Sequence, residues 1–169
     1  MRSYQKILFT LGLLTNVSNA SAQNISSDRT WENFSGWKVF VSVEYQGCLA
    51  SASYQDGTTV RLGYDGIVRD YFFNISNNKW RSYPLRKDFE LNFELSRGRV
   101  VSGFFHTVLR DNLVTFEIGN VKESFLEEIA AASGIKIFEE DNQLASLSLI
   151  GSRRALNSMV ECQQAVMSQ

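Results

Sequence analysis

The chain is poor in side chains that do chemistry, with one histidine and two cysteines in 169 residues. Hydrolytic triads usually take their base from histidine, and His106 stands between Phe105 and Thr107 in an apolar run, the setting of a packed or edge residue. Zinc needs three or four clustered ligands, which one histidine and two distant cysteines do not supply, so no metal and no cofactor is expected. Neither G-x-S-x-G nor a phosphate-cradling glycine loop occurs. The acidic stretch Glu139-Glu140-Asp141-Asn142 lacks calcium-loop spacing and reads as a solvated turn. No apolar stretch approaches the twenty or so residues of a membrane-spanning helix. A basic excess is also missing: the formal net charge is −1, which argues against a general nucleic-acid binder.

What is present begins with an export signal. Arg2 and Lys6 precede the apolar residues 7–14, and Ala20-Ser21-Ala22 stands ahead of Gln23, the order of segments a signal peptidase recognises. Residues 1–22 are therefore expected to be removed, giving a periplasmic or secreted protein that starts near Gln23. Its 15 basic and 18 acidic side chains give a net charge near −3. In an oxidising compartment Cys48 and Cys162 are expected to pair. Such a closed loop of roughly a hundred residues stabilises by about 4 to 5 kcal/mol in the chain-entropy model.

Residues 23–36 are polar, with Trp31 and Phe34 isolated among them, and show no strand or helix period; they read as a loose N-terminal arm that docks through those two rings. From Trp37 to Gln169 the chain reads as one β-rich domain. Runs rich in β-branched and aromatic residues cover 37–45 and 47–55, and Asp56-Gly57 and Asp65-Gly66 supply hairpin turns. The only proline, Pro84, lies in a connector over 77–87. Phe89, Leu91, Phe93 and Leu95 then alternate with Glu90, Asn92, Glu94 and Ser96, a strand with one buried and one wet face. Residues 99–109 are apolar at both parities, which predicts a central strand, and 113–118 predicts its neighbour.

The period changes after Asn120, which stands three residues before Glu123 in the manner of a capping box; Val121, Phe125, Leu126, Ile129 and Ala130 form one helical stripe. Two short strands, 135–138 and 144–150, precede a last helix with Ser152 at its expected N-cap. There Ala155, Met159, Cys162 and Val166 share a face, so the disulfide would pin that helix onto the strand carrying Cys48. The fold class is α+β and mainly β: an antiparallel sheet or partly closed barrel or sandwich with two helices near the C-terminus.

Two stretches are candidate binding sites. Lys79, Trp80, Arg81, Tyr83, Arg86 and Lys87 interleave cations with aromatics, a combination that stacks on sugars or meets acidic partners. Ser152, Arg153 and Arg154 open the last helix, where free amides and two cations suit an anion; in the plainer reading the arginines extend into water or pair with Glu139, Glu140 or Asp141. Carboxylates for a glycosidase exist in Asp56, Asp65, Asp70, Glu90 and Glu94, though Glu90 and Glu94 fall on a wet strand face and Asp56 and Asp65 serve turns. Asn24, Asn33 and Asn74 begin glycosylation sequons, which matter only in a eukaryotic secretory pathway; a bacterial source is favoured.

The segment Leu147-Ser148-Leu149-Ile150-Gly151-Ser152-Arg153-Arg154-Ala155-Leu156, a strand running through glycine into an Ala-Leu helix, is similar to the C-terminal part of small exported alphaproteobacterial proteins of the invasion-associated locus B type. The Gly47-Cys48 strand start and the late Cys162 resemble the cysteine framing of such proteins. Ser152 stands where that family often has an aromatic. The resemblance implies a secreted or periplasmic domain, in some members linked to host cells, with no catalytic residue to carry over. The expectation is a monomeric, non-catalytic exported domain that binds a protein or envelope component. The alternatives are a small hydrolase of envelope glycans and a carrier holding an apolar ligand in a half-closed barrel.

Overall fold

The computed structural model describes residues 27–34 and 36–168; the export signal, its cleavage position and the Asn24 sequon lie outside them. Ten strands form one antiparallel sheet: β1 (Arg29–Phe34), β2 (Trp37–Ser42), β3 (Gly47–Ser53), β4 (Thr59–Asp65), β5 (Asp70–Ser76), β6 (Asp88–Leu95), β7 (Val100–Arg110), β8 (Leu113–Gly119), β9 (Gly134–Glu139) and β10 (Asn142–Ser148). Helix α1 (Glu123–Ala131) lies between β8 and β9, and α2 (Ser152–Met167) follows β10. The spatial order β1-β2-β3-β4-β5-β8-β7-β6-β9-β10 is a meander broken twice, between β5 and β6 and between β8 and β9. After β5 the chain crosses through residues 77–87 to β6 and returns along β7 and β8 to pair β8 with β5. It then crosses through α1 to β9, beside β6.

The sheet curls until strands distant in that order share one core. Phe73 of β5 meets Phe93 of β6 edge-to-face at 5.7 Å, although β8 and β7 lie between their strands. Phe105 of β7 and Phe125 of α1 complete the cluster. Such rings bury large apolar areas and gain about 0.5 to 1.5 kcal/mol per pair from their geometry. The barrel stays open because β1 and β10 are not paired, but side chains span the gap: the Trp37 indole Nε1 donates to the Ile150 carbonyl (3.1 Å) and the Tyr54 hydroxyl to that of Ser148 (2.6 Å).

Helix α2 packs across β2 and β3. Ala155, Met159 and Cys162 are buried at the expected phase, and Cys48–Cys162 is a disulfide with Cα atoms 6.0 Å apart and a sequence separation of 114. Both cysteines are fully buried.

Four local expectations change. Residues 29–34 of the stretch expected as a loose arm form edge strand β1, with a register irregularity between Thr30 and Glu32; Phe34 packs on the core, whereas Trp31 stays 46% exposed. The strand was hidden because almost every side chain in it faces water, leaving no alternation. Asn120 does not cap α1: it adopts φ +55° to end β8, and the N-cap position falls to Lys122 without a side-chain bond. Asparagine tolerates left-handed backbone better than most residues, so the turn claims it. Ser152 does not cap α2 either, since Gly151 holds that position at φ +91°. Finally, β7 is central but wet on one face, with Val100 and Phe104 60% and 70% exposed.

Candidate functional site

The connector 77–87 is tied down at both ends. At its start Asn77, buried, accepts the Lys79 amide at 2.9 Å and donates to the Thr58 hydroxyl at 2.8 Å, and that hydroxyl donates to Asp56. At its end the buried Thr107 hydroxyl donates to the Pro84 carbonyl (2.7 Å) and accepts from the Lys87 amide (3.1 Å). Backbone bonds join Arg86 and Lys87 to Thr107 as well. A loop so bonded holds its outer side chains over a fixed base.

Its aromatics face inward. Trp80 is buried against Phe116, with ring centroids 5.3 Å apart. Tyr83 packs edge-to-face on Phe89 and Phe116, and its hydroxyl donates to Glu139. Burial, then the Glu139 hydrogen bond and charge, push the Tyr83 phenol up to about 12. The rings therefore stopper one end of the barrel and are not available for stacking on a ligand. The cations point the other way: Lys79, Arg81, Arg86 and Lys87 are all exposed, and among the described residues none is in an ion pair. Only the charged half of the sequence motif reaches solvent.

At the start of α2 the three residues separate. Ser152 is buried and its hydroxyl donates to the Ile129 carbonyl of α1 at 3.0 Å. Arg154 pairs with Glu32 of β1 at 2.5 Å and lies over the Phe34 ring at 4.5 Å, while Ser158 donates to the other Glu32 oxygen at 2.7 Å. The Ser158 and Arg154 bonds hold the Glu32 carboxyl below its usual range. Arg153 alone is exposed without a partner among the described residues. The acid that meets Arg154 is thus Glu32, from a strand the sequence pattern concealed, and not one of the Glu139–Asp141 turn.

Of the acids considered for hydrolysis, Glu90 and Glu94 are spread along one strand, whereas Asp56, Asp65 and Asp70 are taken up by bonds from backbone amides. Glu90 and Glu94 project outward from β6 about 13 Å apart at the usual strand rise, and Glu94 meets Lys136 at 3.5 Å. Asp65 and Asp70 oppose one another across the β4–β5 hairpin; Asp65 accepts the turn amides of Ile67 and Val68, and Asp70 that of Tyr71. Asp56 is engaged with Thr58. His106 lies on the outer face of β7 and meets Asp88 of β6 at 2.8 Å, with both side chains largely exposed. Among the described residues no group of three or more metal-ligating side chains converges.

A polar cluster on the outer face was not foreseen. Tyr45 folds back from the β2–β3 turn to stack on Phe72 at 4.1 Å; its hydroxyl accepts from buried Asn74 (3.0 Å) and donates to Glu117 (3.4 Å). Arg110 clamps Glu117 through two nitrogens and reaches Glu44 at 2.5 Å. Burial first, then the Glu117 charge, holds the Tyr45 phenol well above its ordinary value. These residues satisfy one another. The bond to Tyr45 also sequesters the Asn74 amide, so that sequon offers no accessible acceptor, whereas Asn33 is exposed.

The chain is an open, curled antiparallel sheet of ten strands closed over two helices and clamped by one disulfide from sheet to C-terminal helix. It is similar in fold to invasion associated protein B from Bartonella henselae, with a TM-score of 0.60 and 11% sequence identity over 80% of this chain and 99% of that one. The likeness implied by residues 147–156 therefore holds at the level of the fold. No family model and no curated protein matches the sequence.

Proposed function

We propose that this protein is an exported, non-catalytic binding domain that uses the cationic outer side of the 77–87 loop to engage an acidic surface, such as a polyanionic glycan of the envelope or of a host cell. The observation that carries this reading is the division of the loop: Trp80 and Tyr83 anchor it, and Lys79, Arg81, Arg86 and Lys87 stand exposed above that anchor. Fixed cations lose less freedom on meeting an anion than cations on a mobile tail, and their summed field raises the rate of encounter. Export is supported by the N-terminal signal pattern and by the disulfide; among the described residues no helix is long and apolar enough to cross a membrane. A host-associated role is supported by the fold shared with an invasion-associated protein.

The test is retention of the disulfide-intact protein on immobilised heparin, used as a polyanionic glycan, beside a variant with Lys79, Arg81, Arg86 and Lys87 changed to alanine. The wild type is expected to bind and to elute with rising salt. The variant, folded as judged by its unfolding midpoint, is expected to run through. Equal retention of the two proteins would refute the assignment.

A further inference from the structure

We infer that the interior holds a second binding site, a pocket between the sheet and α1 that takes a neutral, apolar alcohol. The pocket has a volume of about 430 Å³ and apolar walls from Phe93, Val101, Phe105, Ile118 and Phe125. That size lies within the range of small-molecule sites, about 300 to 1,000 Å³, in which a few placed polar groups orient an apolar ligand. It lies toward the opposite end of β7 from the 77–87 loop, since Val101 lines the pocket and Thr107 holds the loop.

Gly103 makes the space. The inner face of β7 reads Val101, Gly103, Phe105, Thr107, so a glycine stands where a bulky side chain would fill the core. Its backbone is not in the left-handed region, and a Cβ there would sit 3.4 Å from Ile118 Cδ1 and from a Phe105 ring carbon, which is ordinary contact. Neither conformation nor close approach demands glycine. Glycine inside a strand weakens it, and one recurring reason for its presence is room for a ligand.

Glu128 supplies the polar group. It lines the pocket from α1 with a side chain 17% exposed, and Arg99 meets its Oε1 at 2.7 Å. The other oxygen, Oε2, is buried, and no group among the described residues donates to it. An ionised carboxylate can only accept. The desolvation of Oε2 is already complete, so an occupant that brings a donor recovers most of a hydrogen bond to a charged acceptor. Arg99 and Lys122, which also line the pocket, are long and exposed and can shift to admit a small donor.

The same atom sets the charge of the occupant. A carboxylate would turn its own lone pairs on Oε2. An ammonium would donate, but it would give up its hydration at a rim where Arg99 and Lys122 already set two cations against the single Glu128 charge. A hydroxyl donates without carrying charge, and an apolar body behind it fills the space above Gly103.

The site is independent of the loop and is tested separately, by calorimetric titration of the full disulfide-intact protein with n-octanol and with its isomer methyl heptyl ether, which has the same heavy atoms and no donor. Octanoate and octylamine are the charged controls. Saturable binding of one octanol per chain is expected, with shifts in the methyl resonances of Val101 and Ile118. Octanol should bind about tenfold more tightly than the ether, the scale of a hydrogen bond to a charged acceptor, and more tightly than either charged control. Glu128→Leu should lower octanol binding to the level of the ether and leave the ether unchanged, a pattern that a merely structural role for Glu128 would not produce. Gly103→Leu fills the pocket and should abolish binding of both. Should that variant fail to fold, Gly103→Ala, whose methyl has room, should fold and bind both more weakly. Absence of saturable octanol binding, equal binding of octanol and the ether by the wild type, octanoate or octylamine binding as tightly as octanol, or octanol binding unchanged by the Gly103 substitutions would each overturn the proposal.

Discussion

The backbone amide of Cys48 donates to the side-chain carbonyl of Gln163, 2.9 Å away and one residue beyond the cysteine to which Cys48 is bonded. The β3–β4 ladder begins only at Leu49, so this buried amide has no strand acceptor and the helix supplies one. Leaving such a donor unpaired costs about 1 to 3 kcal/mol. Gln163→Ala with the disulfide intact should lower unfolding free energy by about that amount in a denaturant titration, while Gln164→Ala, a residue farther from the sheet, should change it little.

The Gly151-Ser152 step is structural. Gly151 sits at φ +91°, where an L side chain costs about 1 to 2 kcal/mol, so Gly151→Ala should lower the unfolding midpoint. Ser152 distinguishes its observed role from a helix cap: aspartate serves well as a cap, but at this buried position, facing the Ile129 carbonyl, it would bury an unpaired charge. Ser152→Asp should therefore destabilise more than Ser152→Ala, measured on the same titration.

Glu32 makes the seating of β1 on α2 sensitive to acid. Its folded pKa is depressed by Ser158 and Arg154, so its contribution is present above the ordinary value of 4.5 and is lost as pH falls through the lower folded value. Hydrogen exchange at the β1 amides should accelerate over that interval. Glu32→Gln should show the faster exchange at neutral pH and flatten the dependence.

The alkaline side is governed by buried phenols. Tyr83 and Tyr54 are each pushed up to about 12, in both cases first by burial, then by Glu139 and Asp56 respectively. Because these groups hold their protons more tightly when folded, their contribution is complete below about pH 10, the unfolded value, and is lost as pH rises toward 12. Tyrosinate absorbance should show a late-titrating class that moves to the ordinary range on unfolding. Tyr83→Phe should remove one member of it.

Much of the architecture was legible because burial writes a period into the chain. The alternation from Phe89 to Leu95 marks β6, and the spacing of Ala155, Met159 and Cys162 marks the face that α2 turns to the sheet. The likeness carried by residues 147–156 was legible for a structural reason: Gly151 needs its positive φ, Ala155 and Leu156 are buried, and the Ile150 carbonyl receives the Trp37 indole. β1 left no trace, since it is an edge strand with little to bury. The Tyr45–Glu117–Arg110 cluster was invisible because it depends on β8 lying beside β5, a relation of strand order and not of local pattern. The loop motif was half legible: composition shows aromatics and cations together, but only the packing of Trp80 and Tyr83 against Phe116 separates the stopper from the exposed charge.

Charge on the 77–87 loop is the central claim, and its most direct measurement is the salt dependence of binding to a polyanionic glycan. Heparin affinity of the wild-type protein should fall steeply as ionic strength rises, and that dependence should be lost when Lys79, Arg81, Arg86 and Lys87 are alanine while the unfolding midpoint is retained. Affinity and salt dependence unchanged by those substitutions would contradict the account.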